Sequence, residues 1–216
     1  MSVGHEGLRT IGARLAAAAA RLKCASGTIA PFSLAFLTDR RRIPDPEPIL
    51  RAMPQGAAVV YRDYDDPRRE AIARRYASIC RARSVFFLVA GDVDLAKACE
   101  ADGVHLPARA FGNLEPKRSR RPVSPSPVPG LVTAACHSAD ELGLAQRIGA
   151  DLAFLSPVFA TISHPDTEHL GPARFKEIAA ASPLPVLALG GVDETSARLL
   201  AGKNVAGFGA IGAFLP

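Results

Sequence analysis

The chain has 216 residues, of which 48% are hydrophobic and 22% charged, so it is long enough for one sizeable globular core. No apolar run reaches the roughly 18 residues that cross a bilayer, which excludes a transmembrane helix. The formal net charge of +5 suits an anionic small molecule and does not require nucleic acid as a partner.

The cysteines give no sign of a disulfide framework or a metal site. They stand at positions 24, 80, 99 and 136, and no two of them form a CxxC pair. The short apolar stretch at 15–20 lies between Arg14 and Arg21 and is typical of a helix, not of a secretory signal. We therefore expect free thiols in a cytoplasmic protein.

The first predicted element is an alanine-rich helix from Glu6 to Lys23, with Leu8, Ile11 and Leu15 on one face and Gly27 at its end. Eight short apolar strands follow, at 29–37, 57–61, 85–89, 103–106, 131–135, 152–155, 186–189 and 205–209. Helical stretches separate nearly all of them, at 44–53, 67–82, 94–101, 138–148, 175–181 and 194–201.

Strands that alternate with helices predict an α/β protein with a parallel sheet. Eight of them favour a closed (β/α)8 barrel, a TIM barrel, over an open doubly wound sheet. The barrel is expected over residues 29–216 as one domain, with residues 1–28 as an extra N-terminal helix. No clear eighth helix follows the last strand, and we expect the N-terminal helix to cover that gap.

Two segments concentrate arginine. Arg40 to Arg42 follow the first strand and are interpreted as a solvated loop. Residues 107–130 form a basic, Pro/Ser-rich loop with four Lys or Arg residues at 117–121. No aromatic residue interleaves these charges, which disfavours nucleic-acid binding, and a protein that did bind RNA here would show steep salt dependence.

Glycine turns end the last two strands. Gly190 and Gly191 follow the seventh strand, and the eighth leads into Ala210, Ile211 and Gly212. Neighbouring strand ends with exposed backbone N–H groups and little side-chain bulk make an anion cradle, and this edge of a (β/α)8 barrel is a common phosphate site. The alternative is that these glycines only turn the chain.

An ordered set of motifs carries a family resemblance. The motifs are LTDR at 37–40, VDLA at 93–96, ADGVHLP at 101–107, CHSADEL at 136–142, GADLAFLSPVFATISHP at 149–165 and LALGGV at 187–192. Together they resemble the thiamine phosphate synthase and thiazole tautomerase superfamily, over about residues 30–214. The resemblance implies a (β/α)8 barrel. It also implies one of two activities: Mg²⁺-dependent joining of a pyrimidine diphosphate to a thiazole phosphate, or isomerisation of a thiazole carboxylate phosphate.

The resemblance assigns roles to particular residues. It places the phosphate site at Gly190, Gly191, Ala210 and Ile211. Further substrate-binding positions fall on Arg62, Thr161, Ser163 and His164, the last of which stands where the synthases have lysine.

The magnesium ligands of the synthases are missing at their usual places. After the third strand the synthases carry Asn-Asp, and this chain has Ala90-Gly91, with Asp92 one residue late. After the fourth strand, residues 107–110 hold no carboxylate. Mg²⁺ prefers carboxylates together with substrate phosphates, so we predict no protein metal site and no certain cofactor. Mg²⁺ stays a possible cofactor because the resemblance implies it.

The tautomerase branch is more compatible with these residues. Gly91 and the segment 104–107 resemble it, and His137 stands where that branch has the histidine that transfers a proton. The alternative is a structural His137, bonded to a neighbouring carbonyl. His105 lies within a strand and is predicted to be a satisfied core residue.

The leading interpretation is a thiamine phosphate synthase-like barrel that binds a thiazole phosphate or thiamine phosphate. For such a barrel, proton transfer is easier to support than metal-assisted condensation. The alternative is a non-catalytic protein that binds a phosphorylated ligand or a partner. No membrane association is expected, and the resemblance implies a homodimer.

Overall fold

A computed structural model of the chain describes residues 4–113, 130–161 and 168–215. Eight parallel strands close into a barrel in chain order, and the last strand pairs with the first, as the sequence predicts. The strands are β1 (Leu34–Leu37), β2 (Ala58–Tyr61), β3 (Phe86–Ala90), β4 (Gly103–Leu106), β5 (Leu131–Cys136), β6 (Leu152–Leu155), β7 (Val186–Ala188) and β8 (Val205–Ala210).

Helices surround the barrel. They are α1 (His5–Ser26), α2 (Glu47–Ala52), α3 (Arg69–Ala82), α4 (Val93–Ala98), α5 (Ala139–Arg147) and α6 (Gly171–Ala181), with 3-10 turns at Ala108–Asn113, Ser196–Leu200 and Gly212–Phe214. Within the described ranges, no helix is long and apolar enough to cross a membrane.

Alternate residues of each strand face two separate cores, because successive side chains of a strand point to opposite sides. The inner core fills the barrel and includes Phe32, Leu88 and Phe154. The outer core lies between strands and helices and includes Tyr61 and Phe175. This arrangement leaves only the side chains at the ends of the strands free to line a binding site.

The N-terminal helix α1 packs against β8, in the place where an eighth helix would otherwise lie. Leu15, Ala19 and Leu22 bury one face of this helix. In the described part of the chain, β8 leads into the 3-10 turn Gly212–Phe214 instead of an α-helix. The expected extra N-terminal helix is therefore confirmed.

Two predicted elements differ from the structure. β1 begins at Leu34, not at residue 29, because Pro31 lacks an N–H to donate and Ile29 is 92% exposed. The predicted helix at 194–201 is a 3-10 turn from Ser196 to Leu200. The Asp193 carboxylate, just before this turn, accepts from the backbone N–H groups of Thr195 and Ser196 at 2.8 and 2.7 Å.

Candidate active site

An open pocket at the carboxyl ends of the strands gathers most of the residues that the sequence singled out. Gly190, Gly191, Ala210 and Ile211 line it on one side. The other predicted residues that line it are Arg62, His137 and Thr161. Ser163 and His164 lie outside the described residues, as do residues 114–129 of the basic loop. The position of the pocket is the usual one for sites in a (β/α)8 barrel.

The turn after β7 is built so that only glycine fits. Gly190 and Gly191 have φ values of 94° and 65°, which other residues adopt only under strain. A Cβ on Gly190 would lie 2.9 Å from Pro157 Cα, and one on Gly191 would lie 2.7 Å from the carbonyl oxygen of Ala160. This turn is therefore held tightly against the loop after β6.

Backbone hydrogen bonds hold the same turn in place. The N–H of Val158 donates to the Leu189 carbonyl at 2.9 Å, and that of Phe159 donates to the Gly190 carbonyl at 3.0 Å. The N–H groups of Gly190 and Gly191 have no protein acceptor among the described residues. A rigid turn with such N–H groups at a pocket wall is suited to an anion.

Arginine 42 lies against the second glycine turn. A Cβ on Gly212 would collide with the Arg42 guanidinium, so the two groups are in direct contact. The interpretation of residues 40–42 as a solvated loop is thus wrong for Arg42 and also for Arg40, which forms an ion pair with Asp66. Arg41 alone is exposed. Arg42 adds a positive charge beside Ile211 and Gly212.

Arg62 is the half-buried cation of the pocket floor. Its Nε donates to the Thr38 carbonyl at 3.1 Å, and its backbone N–H donates to the Thr38 hydroxyl at 2.9 Å. Burial lowers the pKa of the Arg62 guanidinium, and the nearby Asp39 carboxylate opposes that change. An arginine keeps its charge in such surroundings, so β2 presents a fixed cation to the pocket.

His137 is exposed and follows the end of β5. Its Nδ1 lies 2.8 Å from the Ser156 carbonyl oxygen, and its backbone N–H donates to Glu141 Oε2 at 2.6 Å. Because a carbonyl oxygen only accepts, Nδ1 must carry the hydrogen, and Nε2 of the neutral ring keeps a lone pair. This geometry suits a proton-transferring base. The same hydrogen bond to a carbonyl oxygen is also what the alternative, a structural His137, requires.

His105 is buried in the barrel and has a full set of local contacts. Its Nδ1 lies 2.9 Å from the Thr133 hydroxyl, which itself donates to the Val104 carbonyl at 3.3 Å. The ring packs edge-on against Phe154. Burial, together with the nearby Arg62, lowers the pKa of His105 to about 3. The prediction of a satisfied core histidine is confirmed.

Comparison with known proteins identifies the family. The sequence matches the thiamine monophosphate synthase family over residues 34–214. The chain belongs to this family. A thiamine-phosphate synthase of Pyrococcus furiosus is 30% identical over 187 residues, which cover 85% of this chain and 87% of that protein.

A second relative and a solved structure agree with this assignment. A thiamine-phosphate synthase of Methanosarcina barkeri is 32% identical over 147 residues, which cover 66% of this chain and 64% of that protein. The solved structure of a thiamine phosphate pyrophosphorylase from Pyrococcus furiosus superposes with a TM-score of 0.65 at 26% identity. The superposition covers 83% of this chain and 85% of that one.

The residues at the ends of β3 and β4 do not fit the magnesium ion that the family resemblance implies. Asp92 follows β3, but its Oδ1 accepts from the Leu95 N–H at 2.9 Å and its Oδ2 pairs with Arg69 at 2.8 Å. After β4 the chain presents Arg109 to the pocket. In the ranges that the structure describes, no three His, Cys, Asp or Glu side chains cluster as metal ligands do.

Sequence reasoning missed the contacts that form between loops. It did not pair Arg42 with the turn after β8, although a closed barrel makes β8 and β1 neighbours and so brings their following loops together. It also did not bring Tyr64 and Arg109 together. In the structure the Arg109 guanidinium lies 5.3 Å from the centre of the Tyr64 ring.

Proposed function

We propose that this family member binds a thiazole phosphate or thiamine phosphate in the pocket, and that its chemistry is proton transfer by His137 instead of metal-assisted condensation. The observation that carries the proposal is the bond from His137 Nδ1 to the Ser156 carbonyl, which leaves Nε2 as the basic atom of a pocket-lining side chain. The named relatives are thiamine-phosphate synthases, so phosphorylated thiazole compounds are the natural ligand class.

The phosphate is assigned to the two glycine turns. Backbone N–H groups at Gly190 and Gly191 supply hydrogen bonds, and Arg42 beside Gly212 supplies charge. Ala210 and Ile211 form the rest of this wall. Arg62 and Thr161 orient the remainder of the ligand from the opposite side, and Ser163 and His164 keep the substrate-binding roles predicted from the resemblance.

The reaction assigned to this geometry is an isomerisation that needs no second substrate. Nε2 of His137 takes a proton from a ring carbon of the thiazole, and the electron pair of that C–H bond moves into the conjugated system. The protonated imidazole of His137 then returns a proton to another carbon of the substrate, so the substrate gains and loses no atom overall. The Ser156 carbonyl stabilises the imidazolium that forms between these steps.

Ligand binding and turnover test this proposal together. Thermal shifts with thiazole phosphate, thiamine phosphate and the pyrimidine diphosphate are measured in EDTA and in excess Mg²⁺. We expect the thiazole compounds to stabilise the protein equally in both, by about 2.7 kcal/mol at 100 times the Kd. Formation of thiamine phosphate from pyrimidine diphosphate and thiazole phosphate, only with Mg²⁺, would overturn the assignment.

A non-catalytic binding protein is the second candidate. The absence of a metal cluster among the described residues favours it over a synthase, and the carbonyl bond of His137 is as good in a structural role. Such a protein would give the same thermal shifts without any turnover.

Assembly and location are further proposals. A homodimer is proposed from the family resemblance, and sedimentation velocity would test it. The cytoplasmic location is proposed from the cysteine pattern, and cell fractionation would test it.

A further inference from the structure

Two guanidinium groups lie close to the ring of Tyr64, a residue that lines the pocket. The Cζ atoms of Arg69 and Arg109 are 5.5 and 5.3 Å from the centre of its ring. Tyr64 is 40% exposed, and both it and Arg109 line the same pocket as the glycine turns. An aromatic face attracts a guanidinium at this distance, so the three side chains form one stack.

The end of β3 is shaped around this stack. Gly91 has φ of 69°, and a Cβ there would lie 3.3 Å from Tyr64 Cε1 and 3.9 Å from the Pro107 ring. The Tyr64 ring is therefore in tight contact with position 91, and a side chain there would require the ring to give by a few tenths of an ångström. The positive φ would also strain any residue other than glycine, which disfavours a carboxylate ligand at this position.

Arg69 is the fixed part of the stack. It donates to the Ala90 carbonyl at 2.8 Å and pairs with Asp92 at 2.8 Å, so its charge is balanced locally. Arg109 and Arg62 differ, since no carboxylate in the described ranges lies within ion-pair distance of either. Asp39 lies near Arg62 without forming an ion pair with it. Two pocket-lining cations outside any ion pair are suited to binding an anion.

We infer that Arg62 and Arg109, with the Tyr64 ring beside Arg109, form a second anion subsite that binds a phosphate or carboxylate group directly, without a divalent cation. The inference rests on the proposed function, because this subsite takes the charged end of the ligand that lies away from the glycine turns. Guanidinium groups suit both anions, since their paired N–H donors match two oxygens at once.

The tyrosine content of the chain allows a direct test. The protein has three tyrosines and no tryptophan, and Tyr61 and Tyr76 are buried. The emission of wild-type protein minus that of Tyr64→Phe therefore reports on the subsite alone. Inorganic pyrophosphate and malonate are titrated in EDTA, and calorimetry and tyrosine emission are recorded in parallel. Tighter binding of one of them shows whether the subsite prefers a phosphate or a carboxylate.

We expect saturable binding in at least one arm, a change in the Tyr64 signal, and no gain in affinity on adding Mg²⁺. Arg109→Gln should weaken that binding about tenfold, as the loss of one charge-assisted hydrogen bond would. Arg74→Gln is the matched control, because it removes the same charge on the exposed face of α3, where Arg74 pairs with Glu70.

Three outcomes would overturn the inference. They are no binding of either anion, binding only with Mg²⁺, and heat of binding without any Tyr64 signal. The third would leave the proposed function standing, because the anion would then lie elsewhere in the pocket. Loss of thiazole phosphate binding in the separate thermal-shift series would instead count against the proposed function.

Discussion

The imidazole Nδ1 of His137 donates to the backbone carbonyl of Ser156 at 2.8 Å, across the gap between the ends of β5 and β6. This bond fixes the ring tautomer and joins two neighbouring strands at the wall of the pocket. A second bond, from the His137 N–H to Glu141 at 2.6 Å, holds the backbone of the same residue against the start of α5. The position of Nε2 therefore depends on both.

Glu141→Ala is expected to lower turnover several-fold while leaving the KM nearly unchanged, because the substrate-binding groups are elsewhere in the pocket. The same substitution should cost about 1 kcal/mol of unfolding free energy, as the loss of a helix cap does. Glu141→Gln keeps an acceptor oxygen and should restore most of the turnover. If Gln behaved like Ala in the kinetic assay, Glu141 would not act as the positioning residue.

Gly191→Ala is expected to damage both the fold and phosphate binding. A methyl group there meets the Ala160 carbonyl at 2.7 Å and Phe159 Cβ at 2.8 Å, so overpacking of about 1–3 kcal/mol adds to the backbone strain. Thiazole phosphate affinity, measured by calorimetry, should fall at least about tenfold.

Gly27→Ala is the matched control for that variant. Gly27 has φ of 64° against 65° for Gly191, but nothing lies within 4 Å of a Cβ placed on it. It ends α1, and it should lose only the strain of the left-handed conformation, about 1–2 kcal/mol, with unchanged affinity. Equal effects on affinity in the two variants would remove the glycine turn from the phosphate site.

Arg42→Gln is expected to raise the Kd for thiazole phosphate about tenfold, because it removes a charge-assisted contact beside Gly212. The effect should shrink as salt concentration rises. Arg9→Gln, on the exposed side of α1, changes the net charge by the same amount and should leave the Kd unchanged. An equal loss in both variants would indicate only a long-range effect of net charge.

His105 is expected to make the fold acid-sensitive. Burial lowers its pKa to about 3, below the value of about 6.5 for an unfolded chain, so only the unfolded state binds this proton between those pH values. The contribution of His105 to the free energy of unfolding is thus full above about pH 6.5. It decreases as the pH is lowered from there to about 3, by up to about 1.4 kcal/mol per pH unit. Denaturant unfolding at several pH values measures this slope.

His105→Asn should flatten that slope, since asparagine does not titrate and can still donate to Thr133. The variant is expected to be less stable than wild type at pH 7 and to approach it at lower pH. A parallel pair of curves would mean that His105 titrates normally in the folded protein.

Local sequence patterns predicted the barrel because each strand is a short apolar run with turn or helix residues on either side. The bounds of β4 and β6 agree with the predicted ones at 103–106 and 152–155. Ser138 caps α5 as expected, since its side chain accepts from the Glu141 N–H. β1 differs from the predicted 29–37 because the apolar run begins at Ile29, whereas strand pairing begins only at Leu34, beyond Pro31.

The candidate site was predictable where one residue at a strand end decides its position. His137 and Gly190 are such residues, and both line the pocket. The contact of Arg42 with Gly212 and the stack on Tyr64 were not predictable in this way. Each joins loops that are distant in sequence, and their meeting depends on closure of the barrel and on rotamers that no local pattern specifies.

The most direct test of the central claim is deuterium exchange in D₂O. Thiazole carboxylate phosphate is incubated with the protein in EDTA, and loss of the exchanging ring proton is followed by NMR for wild type and His137→Ala. We predict exchange by the wild-type protein and at least about a hundredfold less by the variant, with thiazole phosphate still bound. Equal exchange by both proteins, or none by wild type until Mg²⁺ is added, would contradict the account.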